Sequence, residues 1–213
     1  SYLLRGKAVL SIPNPIDTKV YHPMDQGMAR ELLGLPSGKR LLLFGALNVT
    51  DKRKGIDYLI EALRRMEKQD VELVVFGQVK DDIRGLFPVP IHSMGYLSDE
   101  SKIVALYNAV DMFITSSLEE NLPNTIMESM ACGTPCVGFE IGGIPEMIDH
   151  RVNGYVANYK DAGDLANGIQ WVLEHEDRLA LSDACVKKVQ ENYTEEVVAK
   201  QYTALYEKLL KGE

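Results

Sequence analysis

Residues 111–139 read DMFITSSLEENLPNTIMESMACGTPCVGF, and this stretch decides the fold. The apolar run from Asp111 to Thr115 predicts a buried strand, and the run from Pro135 to Phe139 predicts a second one. Between them, Thr125 to Ala131 is typical of a helix, which Gly133 ends. A strand, a helix and a strand in this order indicate a parallel strand pair joined by a crossover helix.

The same alternation continues on both sides of this stretch. Strand-like runs that close on glycine lie at Leu41 to Phe44, Val71 to Phe76 and Ile91 to Met94, and a last short run lies at Tyr155 to Ala157. These runs do not alternate with polar residues, which is typical of strands that are buried on both faces. The predicted fold class is α/β, a Rossmann-like parallel sheet with helices on both faces, followed after Asp161 by a helical C-terminal segment.

The composition disfavours several classes of protein. The 213 residues hold 23 Lys and Arg against 31 Asp and Glu, a formal net charge of −8, so nucleic acid is not expected as a partner. No apolar run approaches the roughly 20 residues that span a bilayer, and no secretory signal is visible. The stretch GLPSGKR at 34–40 has the wrong spacing for a P-loop, and no G-x-G-x-x-G occurs, which disfavours P-loop NTPases and dehydrogenases.

The cysteines and histidines give no sign of a metal site. Cys132, Cys136 and Cys185 are odd in number, and without a secretory signal they predict buried free thiols in a reducing, cytoplasmic compartment. The 4 histidines are scattered without the spacing of metal ligands. The sequence therefore predicts no metal site.

Three adjacent cations, Lys52, Arg53 and Lys54, follow the first predicted strand and precede a predicted helix. The helix dipole at that end favours anions, so a run of positive charge there is unusual for structure alone. A phosphate held by the helix end and these side chains would resolve the conflict. The alternative is a solvated basic loop, and the residues alone leave both interpretations open.

Two glutamates, Glu120 and Glu128, flank the predicted turn from strand to helix. A carboxylate accepts two hydrogen bonds from a vicinal diol, so this pair suits the hydroxyls of a ribose or a hexose. The backbone amides of Asn124 and Thr125 are candidates for holding an anion. The alternatives are a capping box formed by Thr125 and Glu128, and a solvated loop charge for Glu120.

Taken together, these segments resemble glycosyltransferase family 4, which has the GT-B fold. The resemblance covers roughly residues 11–175 and is to the C-terminal, donor-binding half, without the N-terminal acceptor domain. It rests on segments in family order and at family spacing: IPNPID at 12–17, RKG at 53–55, GYLS at 95–98, EENLPNTIMESMACGTPCVG at 119–138, GGIPEMI at 142–148 and NGYV at 153–156.

The resemblance implies a division of the chain. Residues 1–15 are expected to be the remnant of an interdomain linker, and residues 16–192 a nucleotide-sugar-binding Rossmann-like domain. Residues 193–213 are expected to form a C-terminal helix that crosses back to the missing domain. Because the sequence starts at Ser1, the chain is interpreted as a piece of a longer protein.

The resemblance also implies an activity. Members of the family transfer a sugar, of hexosyltransferase type here, from a UDP-, GDP- or ADP-sugar to a glycan or lipid-linked acceptor, with retention of configuration and without a metal or other cofactor. A role in polysaccharide biosynthesis follows, in the cytoplasm or peripherally at the inner face of the membrane for the full-length protein. The fragment is expected to be inactive without its N-terminal domain. The alternatives are a non-catalytic nucleotide-sugar-binding module and a nucleotide-sugar epimerase of the same fold.

The resemblance assigns roles residue by residue. Lys54 matches a phosphate-binding lysine, Glu128 a ribose-binding glutamate, and Glu120 an acidic residue that faces the donor sugar. Many members carry Gly-Arg where this chain has Gly45 and Ala46, so Arg53 is expected to replace the missing arginine. The catalytic candidates are thus Arg53, Lys54 and Glu120, and the donor-binding candidates are Gly45, Gly95, Tyr96, Leu97, Asn124, Thr125 and Glu128.

Overall fold

A computed structural model of the chain describes residues 9–49, 51–66, 70–78 and 84–211. Its centre is a sheet of six parallel strands in the order β3-β2-β1-β4-β5-β6. The strands are β1 (Arg40–Asn48), β2 (Val71–Gln78), β3 (Ile91–Gly95), β4 (Met112–Thr115), β5 (Cys136–Phe139) and β6 (Gly154–Ala157).

The helices within the described residues precede β1, connect strands of the sheet and extend the chain beyond β6. They are α1 (Gln26–Leu33), α2 (Ile56–Arg65), α3 (Glu100–Ala109), α4 (Asn124–Ala131), α5 (Ile144–Met147), α6 (Ala162–Leu173), α7 (Arg178–Asn192) and α8 (Glu195–Leu210). Short 3-10 turns lie at Lys52–Lys54 and Arg84–Leu86.

The sheet separates two apolar cores, because successive side chains of a strand point to opposite faces. Leu42 and Phe44 of β1 pack on one face with residues of α2 and α6. Leu41 and Leu43 pack on the other face with residues of α1, α3, α4 and α7. The predicted fold, a parallel Rossmann-like sheet with helices on both faces, is therefore confirmed.

Strand β1 is longer than the sequence predicted. Gly45 was expected to end the strand, but β1 continues to Asn48 and pairs Gly45 with Phe76 of β2. A Cβ atom on Gly45 would lie 1.8 Å from the ring of Phe76, so the glycine leaves the space that this ring occupies. Gly45 thus has a packing role inside the sheet.

The three cysteines are buried and unpaired, as predicted. Burial raises the pKa of the Cys132 and Cys136 thiols to about 12 and that of Cys185 well above its ordinary value. The described residues contain no group of three or more His, Cys, Asp or Glu side chains that could hold a metal ion. Within the same residues, no helix combines the length and the apolar character that crossing a bilayer requires.

The two ends of the predicted domain 16–192 lie next to each other. The backbone nitrogen of Ile16 donates a hydrogen bond to the carbonyl of Tyr193 at 2.8 Å, just before α8. The predicted division into linker, domain and last helix stays a prediction, and residues 1–8 and 212–213 of its two ends lie outside the described residues.

Candidate functional site

The loops that follow β1 and β4 meet at the carboxyl edge of the sheet. These two strands are neighbours in the sheet but far apart in sequence, which is where ligands bind in folds of this kind. Lys54 Nζ and Glu120 Oε1 form an ion pair at 2.5 Å across this junction. Their side chains are 32% and 14% exposed, so the pair remains accessible from one side.

Backbone contacts hold the cationic segment against the loop after β4. The backbone nitrogen of Leu118 donates to the carbonyl of Arg53 at 2.7 Å, and Ser116 Oγ donates to the carbonyl of Lys54 at 3.0 Å. Gly55 follows in a left-handed conformation with φ of 64°, and a Cβ there would lie 1.9 Å from the carbonyl oxygen of Ser116. A glycine is therefore required for the segment to approach this closely.

A third loop, after β5, supports the loop that carries Glu120. The backbone nitrogen of Gly143 donates to the carbonyl of Asn121 at 2.5 Å. Gly142 has φ of 56°, and a Cβ on it would lie 2.1 Å from the carbonyl oxygen of Glu120. The contact between the two loops thus explains the glycine at position 142 of the GGIPEMI segment, because any side chain at Gly142 would displace the backbone of Glu120.

Arg53 is held by Asp51 and not by Glu120. Its Nη2 lies 2.7 Å from Asp51 Oδ2, and its Nε lies 3.2 Å from both oxygens of the same carboxylate. These hydrogen bonds lower the pKa of Asp51 to about 2. The Arg53 side chain is 68% exposed, and its expected role in place of the arginine missing at Ala46 stays a prediction.

Helix α4 starts one residue earlier than expected, which overturns the capping-box interpretation of Glu128. The N-cap is Pro123, whose side chain makes no cap hydrogen bond, and Thr125 lies inside the first turn. Glu128 is therefore too far along the helix to serve the N-terminus. Its Oε2 instead accepts a hydrogen bond from the hydroxyl of Tyr107, on α3, at 2.8 Å.

The other donor-binding candidates differ in their surroundings. Asn124 is exposed, and its Oδ1 accepts a hydrogen bond from Asn14 Nδ2 at 3.4 Å. Gly95 ends the edge strand β3 with φ of 63° and has open space where a Cβ would lie. Tyr96 is 62% exposed, whereas Leu97 packs against the same apolar core as Tyr107. The binding roles of these residues stay predictions.

Tyr107 and Ser116 are site residues that the sequence did not reveal. Tyr107 belongs to the apolar face of a helix, and its partner Glu128 is 21 positions away, so no local pattern connects them. Ser116 contacts Lys54 through a pairing of loops 62 positions apart. The only signal for Ser116 was its place directly after a buried strand.

Comparison with known proteins identifies the family. Residues 38–175 match the model of the family described as glycosyl transferases group 1. The chain belongs to the group 1 glycosyltransferases. Among curated relatives, N-acetyl-alpha-D-glucosaminyl L-malate synthase of Bacillus anthracis is 24% identical over 214 residues, which cover 98% of this chain and 56% of the relative. The chain spans about half the length of the curated relatives it matches.

Several solved structures share the fold. Sucrose-phosphate synthase from Thermosynechococcus elongatus is 26% identical with a TM-score of 0.80, over 100% of this chain and 56% of that one. HepE of Anabaena in complex with UDP is 22% identical with a TM-score of 0.79, over 92% and 56%. The C-terminal domain of a group 1 glycosyltransferase, LpcC of Francisella tularensis, is 21% identical with a TM-score of 0.70, over 84% of this chain and 99% of that one. The chain thus has the fold of a group 1 C-terminal domain.

Proposed function

We propose that the chain is the donor-binding domain of a retaining glycosyltransferase of family 4, which transfers a sugar from a nucleoside-diphosphate sugar to a glycan or lipid-linked acceptor. The observation that carries this proposal is the accessible Lys54–Glu120 pair at the junction of the loops after β1 and β4. A cation and a carboxylate that lie together at this edge match the two ends of a donor, one anionic and one rich in hydroxyls. The complex of the similar protein HepE with UDP adds support for a nucleotide ligand.

The pair prepares the site for both ends of the donor. Glu120 neutralises Lys54 in this structure, and on binding the diphosphate takes its place as the partner of Lys54. Glu120 is then released to accept hydrogen bonds from the sugar hydroxyls. Because negative charge builds on the diphosphate as the glycosidic bond breaks, Lys54 stabilises the transition state more than the ground state.

Three further features extend the donor site. The first turn of α4, at Asn124 and Thr125, has no side-chain cap, so its amides are suited to a phosphate oxygen. Glu128 lies one turn further along this helix, where its carboxylate is suited to the ribose hydroxyls. The segment Gly95 to Leu97 then lies where the base docks.

Catalysis also needs a second domain that binds the acceptor, and we propose that this chain alone binds the donor without completing the transfer. Cations and helix amides offset the diphosphate in this scheme, so donor binding is expected to be independent of a metal. We further propose that the enzyme works in the cytoplasm, in polysaccharide biosynthesis, with peripheral membrane association where the acceptor is lipid-linked.

The test is calorimetric titration of the chain with UDP, GDP and ADP, with and without EDTA. At least one nucleotide is expected to bind, and EDTA is expected to leave its affinity unchanged. Failure of all three to bind contradicts the proposed donor site, whereas binding that disappears on chelation contradicts metal independence alone. In the full-length protein, an NMR assay of the product then separates transfer with retention from epimerisation of the donor.

Glu128→Gln tests the ribose contact within the same experiment. Gln keeps the size of Glu128 but removes its charge, so nucleotide affinity is expected to fall by roughly 1.5–3 kcal/mol with little change in stability. Asp164→Asn is the matched control, because Asp164 also accepts a hydrogen bond from a tyrosine, Tyr155, at 2.9 Å but lies outside the site. Equal affinities for wild type and Glu128→Gln would remove Glu128 from the donor site.

A further inference from the structure

We infer that Tyr107 is a positioning residue of the donor site, whose buried hydroxyl holds the Glu128 carboxylate with one oxygen turned to the ribose hydroxyls of a nucleotide. The inference rests on the proposed function, because Glu128 meets a ribose only if the chain binds a nucleotide. In this arrangement Tyr107 does not touch the donor but determines how Glu128 contacts it.

The Tyr107 ring has no freedom to turn. It is fully buried and packs edge-to-face between Phe76 and Phe113, with ring centroids 6.2 and 6.0 Å apart. Its backbone carbonyl accepts a hydrogen bond from Thr134 Oγ1 at 2.8 Å, which fixes the main chain as well. The ring position also depends on Gly45, since only a glycine there leaves room for Phe76. The direction of the hydroxyl is therefore set by the core.

The hydroxyl serves a purpose other than packing. Burying a hydroxyl in an apolar core is unfavourable unless it makes a hydrogen bond, and a phenylalanine would fill the same space without that cost. The bond that Tyr107 makes is to Glu128 Oε2, at 2.8 Å. Within the described part of the chain, Oε1 of Glu128 accepts no hydrogen bond, so one oxygen is fixed and the other remains for a ligand.

The charges around Glu128 make its ionisation sensitive to Tyr107. Burial raises the pKa of Glu128, the hydrogen bond from Tyr107 lowers it, and the charge of Glu100 on α3 raises it. Tyr21 and Cys132 also face this carboxylate, and both are neutral near pH 7, since burial raises pKa values that ordinarily already lie above 7, that of Cys132 to about 12. Glu128 is thus ionised only above a raised pKa, and its contact with ribose is lost as the pH falls through that value.

Removal of the Tyr107 hydroxyl and removal of the Glu100 charge, both on α3, are expected to shift this pH dependence in opposite directions. Tyr107→Phe removes the hydrogen bond that lowers the pKa of Glu128, so nucleotide binding is expected to weaken already at higher pH than in wild type. Glu100→Gln removes a like charge, so binding is expected to persist to lower pH. Since Glu100 is exposed in the first turn of α3, that variant is expected to fold normally.

The experiment measures the affinity of this chain for the best-bound of UDP, GDP and ADP, and for its 2′-deoxy counterpart, as a function of pH. Tyr107→Phe is expected to lose about tenfold in affinity for the ribonucleotide and little for the deoxynucleotide. Tyr155→Phe is the matched control: its hydroxyl also donates to a carboxylate, that of Asp164, but outside the site. This control is expected to keep wild-type selectivity and pH dependence.

Glu128→Asp provides a second variant that leaves the core intact. It keeps the charge but shortens the side chain, so the carboxylate loses the hydroxyl of Tyr107, and the preference for the ribonucleotide is expected to fall. Wild-type selectivity and pH midpoint in Tyr107→Phe, or wild-type selectivity in Glu128→Asp, would overturn the inference and leave Tyr107 a packing residue. Absence of nucleotide binding by the wild type would instead overturn the proposed function, and this inference with it.

Discussion

The amino edge of the sheet, where the strands begin, and the carboxyl edge, where they end, both carry clustered charges, but in different arrangements. At the amino edge, directly before β4, Asp111 is 2% exposed and accepts hydrogen bonds from Arg30 Nη2 at 3.0 Å and Arg40 Nη1 at 3.3 Å. Arg178 and the backbone nitrogen of Leu41 complete its partners. At the carboxyl edge, Lys54 and Glu120 form a partly exposed pair, and within the described residues neither side chain makes another hydrogen bond.

This difference separates charges that stabilise the fold from charges that are available to a ligand. Both oxygens of Asp111 are occupied by donors from the chain, so no capacity remains for another molecule. Among the residues that the structure describes, the Lys54–Glu120 pair leaves protons on the amine and lone pairs on the carboxylate unused. Charge density alone therefore does not identify a binding site, whereas incomplete pairing at an accessible position does.

The largest expected effect is on stability, at the amino edge. Asp111→Ala leaves Arg30 buried without its carboxylate, so the free energy of unfolding is expected to fall by about 3–5 kcal/mol in urea titrations. Nucleotide affinity of the remaining folded protein is expected to stay within about twofold of wild type. Asp70→Ala, which removes the exposed partner of Lys39 at the same edge, is the control and is expected to have no measurable effect. A loss below about 1 kcal/mol in Asp111→Ala would contradict the distinction between the edges.

The carboxyl edge is expected to show the opposite balance. Lys54→Ala is expected to weaken nucleoside-diphosphate binding by roughly 1.5–3 kcal/mol, because it removes a charge-assisted contact. The free energy of unfolding is expected to change by about 1 kcal/mol or less, since the pair is partly exposed. Lys52→Ala controls for general attraction, and calorimetry is the measurement. Equal losses in the two variants would mean that overall charge, and not the Lys54 contact, holds the diphosphate.

Substitutions of Arg53 test whether a cation that pairs with a carboxylate in this structure, that of Asp51, can exchange this carboxylate for a phosphate. In the full-length enzyme, Arg53→Lys is expected to lower turnover about ten- to hundredfold and Arg53→Ala further, because a lysine does not make the bidentate contact. Nucleoside binding is expected to stay nearly constant. If both variants keep rates within about twofold of wild type, Asp51 holds Arg53 for structure alone, and the second cation is Lys52 or comes from the other domain.

The smallest expected effect belongs to Glu120. Glu120→Gln removes the carboxylate that competes with the diphosphate for Lys54, so the nucleoside diphosphate alone is expected to bind about two- to fivefold more tightly. The additional affinity of the nucleotide-sugar over the nucleotide is expected to decrease, because the sugar hydroxyls lose a charged acceptor. Titration of both ligands measures the two effects. Weaker binding of the nucleotide itself would contradict the exchange of partners at Lys54.

The fold was predictable because its determinants are local. Leu41 to Phe44 and Val71 to Phe76 are apolar runs that close on glycine, and both are strands buried on two faces. Ile91 to Met94 was expected to be buried in the same way, but it is an edge strand without a buried residue, because a second neighbouring strand does not cover it. The ends of elements were less predictable, since Gly45 is typical of a strand end but lies inside β1, where Phe76 needs the space.

The site was predictable only in part, because its contacts join distant segments. The candidates Lys54 and Glu120, 66 positions apart, do lie together. The pattern of Thr125 and Glu128 indicated a cap that does not form, because the helix begins at Asn124 after Pro123. The partner that Glu128 has instead, Tyr107, belongs to another helix, and only the folded chain brings the two together.

The loops of the site are joined through main-chain carbonyls, and this has a consequence for protein engineering. The carbonyls of Arg53, Lys54 and Asn121 hold the three loops together, and exchanging the side chains of these residues leaves those carbonyl contacts in place. Such exchanges are therefore expected to alter what the site binds more than how it is built. The glycines at 55 and 142 cannot be exchanged in this way, because backbone carbonyls of the neighbouring loops leave no room for a side chain there. A library that randomises positions 53, 54 and 121 and keeps both glycines is therefore expected to vary ligand binding while retaining a folded domain.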